Sequence, residues 1–140
     1  MGGVFNKGEI SFIQKIEEVM NDVSRDTGII LYYVGTTKAI SKSGKEVKAL
    51  NIEAYKEYAD RALDTICSQI KESYGLTSCE IFHLVGEFQV GEPLVLLIIG
   101  SPSREPAFRA LEEAVKRYKS EPTIWKKEIY TDGSSSWIQE

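Results

Sequence analysis

With 140 residues, the chain has room for one domain with a true core and little beyond it. Its 42% apolar and 27% charged content is that of an ordinary globular protein, and no apolar run nears the roughly 18 residues of a membrane span. A net charge of −4 and a single histidine, His83, exclude multi-histidine metal centres and argue against both a histidine-based triad and a broad nucleic-acid-binding face.

The start, "MGGVFNKGEISF", has neither the positive head nor the apolar centre of a signal peptide. Asn6 stands where a myristoylation signal needs serine or threonine. Cys67 and Cys79 lack CxxC spacing, so the expectation is a cytoplasmic protein with both thiols reduced and no metal. "SFIQKIEEVMNDVSRDTG" predicts a helix with Ser11 as N-cap, an apolar stripe of Phe12, Ile16, Val19, Met20 and Val23, and a stop at Gly28. "GIILYYVG" follows as a strand, apolar throughout and therefore expected at the centre of a sheet. The polar loop "TTKAISKSGKE" leads to a second strand, "VKALNIEAY". A helix is predicted from Tyr55 to Tyr74, with Ala59, Ala62, Leu63, Ile66, Cys67 and Ile70 inward and Gly75 at its C-terminus.

"SCEIFHLVGEF" and "PLVLLIIG" read as strands joined at the hairpin signal "QVGE". "SPSREPAFRALEEAVKRYKS" predicts the third helix, with Phe108, Leu111, Val115 and Tyr118 inward. "TIWKKEIY" and "SSSWIQ" close the chain as strands around "TDGS". The expected organisation is a single domain over 1–140, with a helical N-terminal segment at 1–27 and a core at 28–138. Its order after the first helix, β-β-α-β-β-α-β-β, fits a two-layer α+β sandwich related to ferredoxin-like folds.

Charge is unevenly spread along this frame. Residues 104–127 hold seven basic groups against four acidic ones, a net of +3 that leaves −7 for the remainder. Such a segment suits a small anionic ligand or an acidic partner. "GSPSREPAF" opens a helix whose free N–H groups and Arg104 could receive an oxyanion or phosphate, or could simply be a cap with a surface arginine. In "IWKKEIY", alternation sends Trp125 and Lys127 to one face and Ile124, Lys126 and Glu128 to the other. Either the strand has a solvated second face, or one lysine enters a cleft where it can move protons or act as a nucleophile. Lys38 sits in a loop after Gly35, Glu53 could orient a lysine or cap a helix, and His83 reads as a hydrogen-bonded strand residue.

Five segments together, "GIILYYVGTTK", "LNIEAY", "HLVGEFQVGE", "SREPAF" and "IWKKEIYTDGSSSWI", resemble in order and spacing the large subunit of molybdopterin synthase, the MoaE family. The resemblance runs from about Gly28 to Ile138. It implies a two-layer α/β hammerhead with a small added antiparallel β subdomain, working as a homodimer within a heterotetramer. Each copy would bind a small ubiquitin-like sulfur-carrier subunit whose C-terminal Gly-Gly ends in a thiocarboxylate. That tail would deliver sulfur to cyclic pyranopterin monophosphate, and two transfers would form the dithiolene of molybdopterin, with no cofactor.

By the same resemblance Lys119 and Lys126 match the family's active-site lysines, Lys119 nearest the thiocarboxylate and Lys126 holding substrate. Ser103 and Arg104 match an anion-gripping histidine–arginine pair, Lys38 with Thr37 beside it matches a family arginine, and Lys127 and Glu128 flank the lysine strand. Ser103 and Lys38 depart from the pattern, and lysine keeps the charge but loses the planar fork. In the resemblance Trp125 anchors the strand while Lys126 enters the cleft. The competing reading is a non-catalytic dimeric α+β module that binds an anionic metabolite or an acidic protein, without nucleic acid or membrane.

Overall fold

The computed structural model describes residues 1–138; Gln139, the end of the last strand expected from the sequence, lies outside them. The elements are β1 (Gly2–Asn6), α1 (Phe12–Asn21), β2 (Ile29–Thr36), β3 (Val47–Ala54), α2 (Lys56–Tyr74), β4 (Ser78–Gln89), β5 (Pro93–Ser101), α3 (Arg104–Ser120), β6 (Ile124–Tyr130) and β7 (Ser135–Ile138). The α+β class and the expected order after α1 are present. No helix among the described residues is long and apolar enough to cross a membrane.

All seven strands join one sheet in the order β2, β5, β4, β3, β6, β7, with β1 added beside β4. β4 holds the halves together. Its residues 78–83 pair with β5, residues 81–85 pair in parallel with β1, and residues 86–89 pair with β3. The change of partner falls at Gly86, whose φ of +132° is open to glycine and strained for any side chain. Beyond it β3, β6 and β7 form the smaller antiparallel subsheet.

The core lies between the sheet and α2 with α3. Leu63, Ile66 and Ile70 of α2 are fully buried, each contributing about 1.5–3 kcal/mol of burial. α3 approaches closely through Ala107, Ala110 and Ala114, with Tyr118 the large residue of the stripe. The apolar stripe expected for α3 is therefore turned by one position at its start. Phe108 is 55% exposed and Ala107 takes its place, because small residues let α3 sit close to the strands.

Other expectations are revised. α1 starts at Ser11, whose hydroxyl accepts from the Gln14 N–H, but ends at Asn21, well before Gly28. Val23 falls beyond its end and is exposed, as is Met20 inside the last turn. Gly28 serves close packing instead, since a Cβ there would lie 2.3 Å from the Pro102 carbonyl oxygen. β2 is the outermost strand rather than a central one; Ile29 to Tyr33 are half-buried against the core, Val34 is exposed, and the strand's outer edge is free among the described residues. The N-terminal segment is not purely helical. β1 escapes a strand reading because it begins Gly-Gly, yet a Cβ on Gly2 would sit 2.7 Å from the Leu63 backbone, so a small residue is what lets β1 dock on α2.

If β4 depends on Gly86 to change partners, Gly86→Ala should lower stability by about 1–3 kcal/mol, read as a reduced urea midpoint with an unchanged slope. An unaltered midpoint would show that the bend tolerates a side chain.

Candidate active site

Parity on β6 decides what faces the cleft. Lys126, Glu128 and Tyr130 point inward and are 8%, 8% and 5% exposed, while Trp125 points away and is 49% exposed. Trp125 therefore anchors nothing in the core, because its face of the β3–β6–β7 subsheet stays open to solvent. Lys127 shares that outer face, with its ammonium 5.7 Å from the Trp137 ring centre. The Tyr130 hydroxyl donates to Glu128 Oε1 at 2.8 Å and lies 2.7 Å from Ser136 Oγ, which fixes the carboxylate against β7.

α3 brings Lys119 to the same place. Arg117, one turn before the helix end, is held by Glu121 at 2.6 and 2.9 Å and by Gln69 at 2.7 Å. These bonds hold Glu121 below the usual carboxylate range and tie down the end of the helix. Tyr118 is buried with its ring centre 5.9 Å from that of His83, which sets the rotation of the last turn and turns Lys119 to the cleft. His83 itself is buried, with Nδ1 2.9 Å from the Leu84 carbonyl oxygen, as a strand histidine should be.

Lys38 arrives from the end of β2. Its neighbour Thr37 is buried and clamped to the β4–β5 turn: Thr37 N–H donates to the Glu92 carbonyl at 3.0 Å, its hydroxyl reaches the same oxygen at 3.2 Å, and Gly91 N–H donates to the Thr37 carbonyl at 2.7 Å. The Glu92 carboxylate accepts from Lys7 and the Gln89 N–H, which hold it below the ordinary carboxylate range and lock that turn.

Thr37, Lys38, Lys119, Lys126 and Glu128 thus line one cleft of about 520 Å³. Its wall also holds Tyr33, Lys42, Ser43, Tyr118, Tyr130 and Ser136, so four ammonium groups face a single carboxylate. Lys38, Lys42 and Lys119 make no ion pair among the described residues. An adjoining trough of about 370 Å³ shares Lys119 and Lys126 with the cleft and runs out past Pro122, Ile124, Trp125 and Trp137. The two lysines stand where the two depressions meet. Such a site can hold an anion and stabilise an oxyanion that forms during reaction.

Three expected site residues are elsewhere. Lys127 lies on the opposite face of β6, and Ser103 and Arg104 start α3, roughly 22 Å from Lys119 at the rise of an α-helix. Ser103 makes no side-chain cap bond, and both residues are exposed. Conversely, Tyr130 and Lys42 went unmarked in the sequence. Tyr130 was within reach of the period-two argument that found Lys126, whereas Lys42 sits in a loop without periodicity.

The thiols are remote from this chemistry. Cys67 and Cys79 are free and 1–2% exposed between α2 and β4. Their mutual hydrogen bond, with burial, pushes the Cys79 thiol far above its ordinary range. Among the described residues, no group of three or more His, Cys, Asp or Glu side chains is placed to hold a metal ion.

Comparison with known proteins gives a consistent set of matches. A family model described as MoaE protein matches residues 8–121. The molybdopterin synthase catalytic subunit of Pyricularia oryzae is 35% identical over 123 residues, spanning 87% of this chain and 67% of that protein. The subunit of the same name from Bacillus subtilis is 35% identical over 128 residues, spanning 91% of this chain and 76% of its own. Among solved structures, molybdopterin synthase from Staphylococcus aureus superposes with a TM-score of 0.85 at 30% identity, covering 99% of this chain and 96% of that one. A complex of subunits 1 and 2 of molybdopterin-converting factor from Helicobacter pylori matches in fold, with a TM-score of 0.74 at 15% identity over 99% of this chain and 90% of that one.

Burial of the thiols has a direct chemical consequence. The native protein should resist thiol-directed reagents at neutral pH, because neither sulfur is accessible, and both cysteines should be labelled only after denaturation. Fast labelling of either one in the native state would return cysteine chemistry to consideration.

Proposed function

The chain belongs to the MoaE family, and on that premise we propose how its lysine cleft carries out the sulfur transfer of a molybdopterin synthase catalytic subunit. Its role lies in molybdenum cofactor biosynthesis, and it is an enzyme of sulfur transfer. The observation that carries the finer reading is the meeting of Lys119 and Lys126 where the larger cleft and the smaller trough adjoin.

In this reading the trough receives the C-terminal tail of a small ubiquitin-like subunit, and the cleft receives cyclic pyranopterin monophosphate. The Helicobacter pylori complex of two subunits supports a small partner. A Gly-Gly tail has no side chains, so it fits a narrow passage, and its thiocarboxylate is drawn to the ammonium groups at the inner end. The tail's sulfur is already nucleophilic at neutral pH. When it bonds to a side-chain carbon of the pterin, an oxygen substituent of that carbon leaves with its bonding electrons and is protonated, and the tail is held as an acyl thioester. Water then adds to the acyl carbon and the acyl–sulfur bond breaks, which returns the tail as a carboxylate and leaves sulfur on the pterin. Lys119 stabilises the oxyanion at the acyl carbon and handles the proton, while Lys126 holds the pterin substrate. Glu128, fixed by Tyr130, keeps the cleft from closing on an excess of positive charge. Two rounds give the dithiolene.

Ser103 and Arg104 enter through a second copy. Among the described residues β2 has a free outer edge, and its two ends sit at the two ends of α3. Gly28 packs on Pro102 near Arg104, and Gly35 lies near the Tyr118 hydroxyl beside Lys119. Antiparallel pairing of β2 with the β2 of another copy would bring that copy's Arg104 toward this copy's Lys119. A homodimer inside a heterotetramer follows from this arrangement. The two free thiols suit a reducing cytoplasm.

Lys119→Ala should cut turnover by about 10²–10³-fold, the scale of losing one oxyanion donor, while melting temperature and partner affinity stay close to those of the unaltered protein. Near-normal turnover would remove Lys119 from the chemistry. Mixing inactive Lys119→Ala chains with inactive Arg104→Ala chains should recover activity as hybrid dimers form. No recovery after proven subunit exchange would confine Arg104 to its own chain.

A further inference from the structure

We propose that Lys42, with Ser43, is a specificity-determining residue that grips the phosphate of the pterin substrate. The inference rests on the synthase reading and assigns the outer end of its cleft. The turn between β2 and β3 is built rather than slack. Ile40 and Glu46 pair across it, Ser41 N–H donates to the Lys45 carbonyl at 2.9 Å, and Gly44 N–H donates to the Ser41 carbonyl at 3.0 Å. Ser41 is buried, and its hydroxyl accepts from the Lys45 N–H at 3.1 Å and lies 2.8 Å from Ser43 Oγ.

The neighbouring Lys45 docks the turn onto the β6–β7 loop. Its ammonium donates to Ser134 Oγ at 3.1 Å, lies 3.4 Å from Asp132 and stands 5.0 Å from the Tyr130 ring centre. Lys45 is thus spent on structure, and Lys42, on the cleft side, makes no ion pair among the described residues.

The remaining inventory of the cleft selects the ligand chemistry. Lys38 and Lys42 line the cleft but not the trough, whereas Lys119 and Lys126 line both, and Ser43 adds a hydroxyl to the two ammonium groups of the cleft. The single carboxylate in the wall, Glu128, is engaged by Tyr130. Two ammonium groups and a hydroxyl without an anion in the chain suit the cyclic phosphate of the pterin, whose two free oxygens share one negative charge, while the tail in this reading arrives along the trough that neither Lys38 nor Lys42 lines.

The test compares the unaltered protein with Lys42→Ala, Lys42→Arg and, as a control outside the cleft, Lys48→Ala. Titration calorimetry with cyclic pyranopterin monophosphate and with inorganic phosphate gives Kd, and reconstituted turnover gives KM and kcat. Lys42→Ala should raise Kd and KM about tenfold, the size of one charge-assisted hydrogen bond, with kcat changed far less; Lys42→Arg should restore binding, and Lys48→Ala should leave it unchanged. Unchanged Kd in Lys42→Ala would overturn the proposal, as would weakened affinity for the small subunit in place of the pterin, or an unaltered protein that binds neither probe. Lys42-dependent phosphate binding in a protein that transfers no sulfur would sustain the proposal and reject the synthase reading.

Discussion

Everything at the candidate site depends on one constraint, the two-residue period of β6 in a subsheet with one face covered. That period forces Lys126 and Glu128, both charged, to share the covered side with Tyr130. Charges this buried are sustained only where hydrogen bonds and opposite charge compensate for lost water. Tyr130 and Ser136 fix the carboxylate, and the lysine side chains face an open cleft. The outer face bears the complementary cost, with Trp125 and Trp137 exposed beside Lys127.

The rest of the fold delivers groups to that side of β6. β4 bends at Gly86 and so joins the helix-covered half of the sheet to the half that carries β6. α3 spans the first half and drops Lys119 at the border, with Arg117 spent on Glu121 and Gln69 so that the helix end stays put. Loops supply Lys38 and Lys42, each on a turn pinned by backbone hydrogen bonds. The outcome is a positively charged pocket in a protein that is negative overall. Such a pocket attracts anionic ligands while the molecule as a whole remains unattractive to nucleic acid.

The sequence made the element order and β6 parity readable because both rest on local periodicity. Lys119 and Lys126 could be paired only through resemblance, since spacing alone does not bring a helix end to a strand. Long-range packing was hidden. β2 looked central because its residues are apolar on both faces, and nothing local reveals that it is the outermost strand of the sheet. β1 was missed because its glycines weaken the strand signal while permitting contact with α2. The α3 stripe was shifted because alanines carry little hydrophobic weight, although close packing prefers them here. Lys42 was invisible because its position follows from a turn built by Ser41 and Lys45, not from any repeat.

In the proposed reaction, sulfur travels from a partner's tail to a pterin across this lysine-lined junction. The most direct measurement uses a small subunit whose thiocarboxylate carries a heavy sulfur isotope, mixed with this protein and cyclic pyranopterin monophosphate, followed by mass spectrometry of the pterin. The account expects a product with two heavy sulfur atoms and a tail that ends as a plain carboxylate. A stable complex that leaves the pterin without sulfur would contradict it.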